Sequence, residues 1–113
     1  NLKSKRDWGH AKDYVKAMWL MLQKKKPEDF VISTGKQNSV EDFARLAFRN
    51  VGLDYKKFII VDKKLYRPSE VDSLLGNCKK AKIKLNWKQE YSFKELVSDM
   101  VSADLNFVEK EGY

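Results

Sequence analysis

Ala11-Lys12-Asp13-Tyr14-Val15-Lys16-Ala17-Met18-Trp19-Leu20-Met21-Leu22-Gln23, then a lysine run and Pro27, then Phe30-Val31-Ile32-Ser33-Thr34-Gly35: this order sets the fold class. In the first stretch Ala11, Tyr14, Val15, Met18, Trp19 and Leu22 recur at three-and-four spacing, which predicts an amphipathic helix from His10 to about Gln23. Lys24, Lys25 and Lys26 suit the negative end of its dipole, and Pro27 lies past its end. The second stretch is rich in β-branched and aromatic side chains and closes on a glycine, which predicts a short buried strand. A helix feeding a strand is the unit of an α/β chain.

Working outward, Ser39 and Asp42 stand at cap-to-N3 spacing before a second stripe of Val40, Phe43, Leu46, Ala47 and Val51 that ends near Gly52. Phe58-Ile59-Ile60-Val61-Asp62 predicts a second strand, and Pro68 holds Arg67 in an extended or turn geometry, so Arg67 belongs to a loop. A short helix is expected from Asn77 to Leu85, with Asn77 as cap and Ala81 and Leu85 facing inward. After a connector that contains Trp87, a last helix runs from Ser92 to about Val108, with Glu95 completing the capping box. Two strands make no stable sheet by themselves. The chain is therefore expected to be one part of a larger α/β fold.

Composition narrows the function classes. The 113 residues bury one modest core, and no apolar run reaches the roughly 18 residues of a membrane span. One Cys and one His are too few for a zinc site built from protein ligands, and no internal disulfide is possible. The net charge of +7 and the pI near 9.4 favour anionic partners, either a nucleic acid or a phosphorylated small molecule. Of the 23 basic residues, 19 are Lys and four are Arg (Arg6, Arg45, Arg49, Arg67). Forked reading of phosphate selects Arg, so the scattered lysine pairs read as solvated surface unless they cluster in space.

No phosphate-binding loop, dinucleotide fingerprint or nucleophile elbow occurs. His10, at a helix start, reads as a capping or packing residue, and Cys78 as a small buried hydrophobe. Two stretches remain as binding chemistry. In Lys5-Arg6-Asp7-Trp8-Gly9-His10, Arg6 can present its guanidinium to a pyrophosphate while Asp7 holds the loop; the alternative is an Arg–Asp ion pair anchoring the start of the helix. In Tyr66-Arg67-Pro68-Ser69-Glu70-Val71-Asp72, Arg67 can meet the same phosphates, and Glu70 can accept from the N1 and N2 donors of guanine, a pair that adenine lacks.

Taken in order, these blocks resemble the C-terminal third of the GDP-mannose 4,6-dehydratases, within the extended short-chain dehydrogenase/reductase family. The resemblance is carried by Lys5 through Val15, Ala17 through Gln23, Lys26 through Ile32, Tyr66 through Asp72, Lys80-Ala81-Lys82 and Leu85-Asn86-Trp87-Lys88. Asn77, Asn86 and Gln89 depart from the family's usual Asp, Gly and Pro. The resemblance implies an α/β fold, of which residues 1–113 are the mainly helical GDP-sugar-binding part with a few short strands. It implies that Arg6 and Arg67 bind the GDP diphosphate and that Glu70 recognises guanine.

The enzyme it implies is an NADP-dependent lyase that converts GDP-mannose to GDP-4-keto-6-deoxymannose, on the way to GDP-fucose and other deoxyhexoses. Its NADP-binding Rossmann part and its catalytic Thr or Ser, Glu, Tyr and Lys lie outside this sequence. Tyr14 and Tyr66 are followed four residues on by Met18 and Glu70 rather than by Lys. No catalytic, cofactor-binding or metal-binding residue is expected here, and the chain alone is expected to be inactive. A cytoplasmic homodimer or homotetramer is implied for the whole enzyme. Two alternatives stand beside this one: the same portion of another nucleotide-sugar epimerase or dehydratase, and a Lys-rich nucleic-acid module that stacks bases on Trp8, Trp19, Trp87 and the tyrosines.

Overall fold

The computed structural model describes residues 1–112. In chain order the elements are β1 (Lys5–Arg6), α1 (Ala11–Leu22), β2 (Asn38–Ser39), α2 (Val40–Asn50), 3-10 turns at Tyr55–Lys57 and Lys63–Leu65, α3 (Lys79–Lys84) and α4 (Phe93–Glu111). The four helices fall where the apolar stripes put them, because each start is fixed by local chemistry. His10 Nδ1 accepts from the Lys12 amide, and Ser39 and Ser92 each exchange two bonds with Asp42 and Glu95 in full capping boxes. α3 begins two residues later than expected: Asn77 Oδ1 accepts from the Lys79 amide, and Cys78 occupies the cap position. α4 runs three residues beyond Val108, to a left-handed Gly112 at φ 71°.

The two expected strands do not form. Residues 30–35 have no regular secondary structure, and residues 58–62 run between the two 3-10 turns with Ile60 91% exposed. A strand needs a neighbour for its amides and carbonyls, and neither segment finds one among the described residues. The side-chain alternation survives in the first of them: Phe30 and Ile32 pack on the core while Val31 faces outward. The strands that do form are shorter and elsewhere, with Lys5 opposite Ser39 and Arg6 opposite Asn38 in an antiparallel pair, and a parallel bridge from Lys5 to Ser73. The result is a mainly helical chain with a minimal sheet.

Packing is divided between two places. Ala17, Cys78, Ala81, Leu85 and Trp87 form the buried cluster, with Tyr14, Leu20, Met21, Phe30 and Ile32 against it. Trp87 is 1% exposed, and its Nε1 donates to the Asp13 carbonyl at 2.9 Å. Across the molecule, Trp8 sits edge-on to Phe43 and stacked on Phe93, which joins α2 to α4. Asn86 adopts φ 51°, a left-handed turn taken by the residue type that, after glycine, best tolerates it.

Candidate functional site

β1 places the first stretch. Lys5 is held on both sides, its amide donating to the Asp72 carbonyl and its carbonyl accepting from the Leu74 amide, so the backbone at Arg6 has little freedom. From there Arg6 Nη1 donates to the Lys5 carbonyl at 2.8 Å, and Nη2 meets Glu70 Oε1 at 2.6 Å across 64 residues of sequence. Both side chains of this pair are about a quarter exposed, at 24% and 25%. Arg6 thus finds its carboxylate in Glu70 and not in the neighbouring Asp7. Arg67 lies exposed three residues before Glu70, and no bond joins it to the pair among the described residues.

Asp7 performs a different task. Its Oδ1 accepts from the Thr34 amide (2.8 Å) and hydroxyl (2.6 Å), and its Oδ2 accepts from the Gly35 (2.9 Å) and Gly76 (3.2 Å) amides. One carboxylate therefore ties the β1 loop to the segment before β2 and to the segment after Glu70. At Gly76 a Cβ would fall 2.2 Å from Ser33 Cβ, so the approach that brings this amide to Asp7 requires glycine. Arg6, Asp7, Trp8, Leu74, Leu75 and Gly76 line an open groove of about 470 Å³ beside the pair.

His10 is spoken for. With Nδ1 accepting from Lys12, its proton sits on Nε2 and is donated to Asp99 Oδ2 at 2.8 Å, while the ring stacks on Tyr91. That bond, with Lys12 nearby, holds the Asp99 carboxyl below its usual range. His10 is a cap locked to α4, as its position suggested. Cys78 is buried in the core cluster, and burial, with Asp7 next in weight, raises the Tyr14 phenol. Asp13 was not singled out by sequence, yet it is 1% exposed and its two oxygens accept from the Glu90 and Tyr91 amides. The signal was its place one turn before Ala17 on the buried side of α1.

The lysine runs do meet in space, around an acid. Glu28 takes Lys84 at 2.8 Å, Lys24 at 3.2 Å and Lys80 at 3.7 Å, and bonds from Lys84 and then Lys24 bring its carboxyl down to about 2. Lys80 also donates to the Asp29 carbonyl and lies over the Phe30 ring. These lysines tie the end of α1 to α3. Trp87 is buried and Trp8 lies inside an aromatic cluster, so of the three tryptophans a nucleic-acid module would use only Trp19 stands open to a base. Among the described residues no group of three metal-ligating side chains occurs, and no helix is long and apolar enough to cross a membrane.

The sequence model of the family described as GDP-mannose 4,6 dehydratase matches residues 1–100. The chain belongs to that dehydratase family. It is 50% identical over 125 residues to GDP-mannose 4,6 dehydratase of Homo sapiens, an alignment that takes in 96% of this chain and 34% of the human one. Residues 1–113 thus span about a third of the length of the curated relatives they match, in their C-terminal portion. Among solved structures, UDP-glucose 4-epimerase of Thermotoga maritima with UDP-glucose superposes with a TM-score of 0.85 at 26% identity, covering 96% of this chain and 34% of that one. The dTDP-glucose 4,6-dehydratase of Bacillus anthracis in complex with NAD shares the fold at TM-score 0.78 and 20% identity, with 96% and 34% covered. The fold is therefore that of the C-terminal part of the short-chain dehydrogenase/reductase epimerases and dehydratases.

Proposed function

We propose that residues 1–113 are the GDP-sugar-binding part of a GDP-mannose 4,6-dehydratase, with Arg6 and Arg67 on the diphosphate of GDP-mannose and Glu70 on guanine. The observation that supports this is the meeting of Arg6 and Glu70. Two segments 64 residues apart, each carrying a group suited to one end of a guanine nucleotide, are brought to one place and fixed there by β1 and Asp7. The exposed Arg67, three residues before Glu70, offers a second forked cation.

The reaction belongs to the whole enzyme, which would use NADP to convert GDP-mannose to GDP-4-keto-6-deoxymannose. These residues do not fit a dinucleotide: the glycine ahead of α1 serves packing, since a Cβ on Gly9 would lie 2.5 Å from the Tyr14 ring. NADP would be held by a Rossmann part outside residues 1–113, and the chain alone would not turn over. The cytoplasmic, dimeric or tetrameric state of the family enzymes is part of the same reading.

Titration of the chain with GDP and with ADP tests the assignment. GDP should bind more tightly, and Glu70→Gln should weaken GDP by roughly tenfold, the cost of losing one charged bonding partner, without weakening ADP. Equal affinity for the two nucleotides would sink it.

A further inference from the structure

We propose that the Arg6–Glu70 ion pair is itself a selectivity device: a guanine nucleotide enters by exchanging that pair for two ligand contacts, and a phosphate without guanine is disfavoured because it leaves Glu70 without a partner. This rests on the GDP reading above and adds a mechanism to it. The two groups that would serve opposite ends of the nucleotide bond to each other at 2.6 Å. One Arg–Glu contact and a nucleotide spanned by the same two side chains exclude each other, because the ribose lies between diphosphate and base.

The backbones cannot move apart to resolve this. Lys5 is bonded to Asp72 and Leu74, and Asp7 is bonded to Gly76, so the segments carrying Arg6 and Glu70 are stitched together on the C-terminal side of Glu70. Only the side chains can part. A pyrophosphate that draws Arg6 away leaves a three-quarters-buried carboxylate beside an arriving anion. Guanine removes that cost through its N1 and N2 donors, whereas adenine does not. Discrimination of this kind comes from the penalty placed on the wrong ligand as well as from the contact offered to the right one.

Linkage then requires the base and the phosphate to help each other. Whatever occupies Glu70 frees Arg6, and the coupling is reciprocal. The test is to titrate the full chain with inorganic pyrophosphate, with and without saturating guanosine. Guanosine should tighten pyrophosphate by about threefold to tenfold, the worth of one partly buried ion pair, and adenosine should have no such effect. In Glu70→Gln, pyrophosphate should bind tighter than in the unaltered chain, and guanosine should lose its influence.

Pyrophosphate affinity that is indifferent both to guanosine and to Glu70→Gln overturns the exchange while leaving a preference for GDP over ADP intact. Equal GDP and ADP affinities, or no binding of either fragment, overturn the guanine reading and the exchange together. Because the guanosine coupling is measured on the unaltered chain, a variant that fails to fold does not decide the matter.

Discussion

Asp7 concentrates more bonds on one side chain than any other residue of the candidate site, accepting from Thr34 twice and from Gly35 and Gly76. Removing it orphans three amides, those of Thr34, Gly35 and Gly76. Asp7→Ala should cost about 2–4 kcal/mol in urea unfolding, as expected when a charged acceptor of several bonds is lost. Asp7→Asn, which keeps one acceptor oxygen, should cost less. A loss below about 0.5 kcal/mol for Asp7→Ala would show that the clamp carries no weight. The residue types at this site could be read in the sequence, but their pairing could not. Nothing local distinguishes an Arg6 that meets Asp7 from one that crosses to Glu70, because that choice is made by the β1 pairing with Asp72 and Leu74.

Among the elements, what could be read was whatever is settled within a few residues. Ser39 with Asp42 and Ser92 with Glu95 announce α2 and α4, and both boxes are made. The segments at 30–35 and 58–62 have strand composition, but strands are decided by a neighbour and none is present among the described residues. Ser92→Ala should destabilise the chain by about 1 kcal/mol, and Ser92→Gly by only a few tenths, measured by chemical unfolding at neutral pH.

The boxes also set a pH dependence. Bonds from the Ser39 and Ser92 backbone amides, then from their hydroxyls, hold Asp42 and Glu95 below their ordinary ranges, and the lysines around Glu28 bring it down to about 2. A carboxyl whose folded value is depressed contributes stability that is complete above its unfolded value, near 4, and is lost as pH falls through the folded one. Unfolding midpoints should thus be flat from pH 7 to about 5 and fall steadily toward pH 2. A midpoint unchanged at pH 3 would contradict these pairings.

At the scale of the molecule, the chain is a slab, 52 × 39 × 20 Å, with a radius of gyration of 17.1 Å against about 13 Å for a compact domain of its length. Val15, Met18, Trp19 and Leu22 lie along one side of α1 with more than half of each exposed. The apolar stripe that identified this helix in the sequence is thus largely on the outside, because periodicity reports which face is apolar and not what covers it.

A thin body with bare apolar side chains has less to expose when it unfolds than a compact chain of the same length. A compact chain of 113 residues absorbs about 1.4–1.7 kcal/mol/K of extra heat capacity on melting. Scanning calorimetry should return a value below that, so the stability of this chain should change more gently with temperature than that of a compact chain, and its melting should be broader.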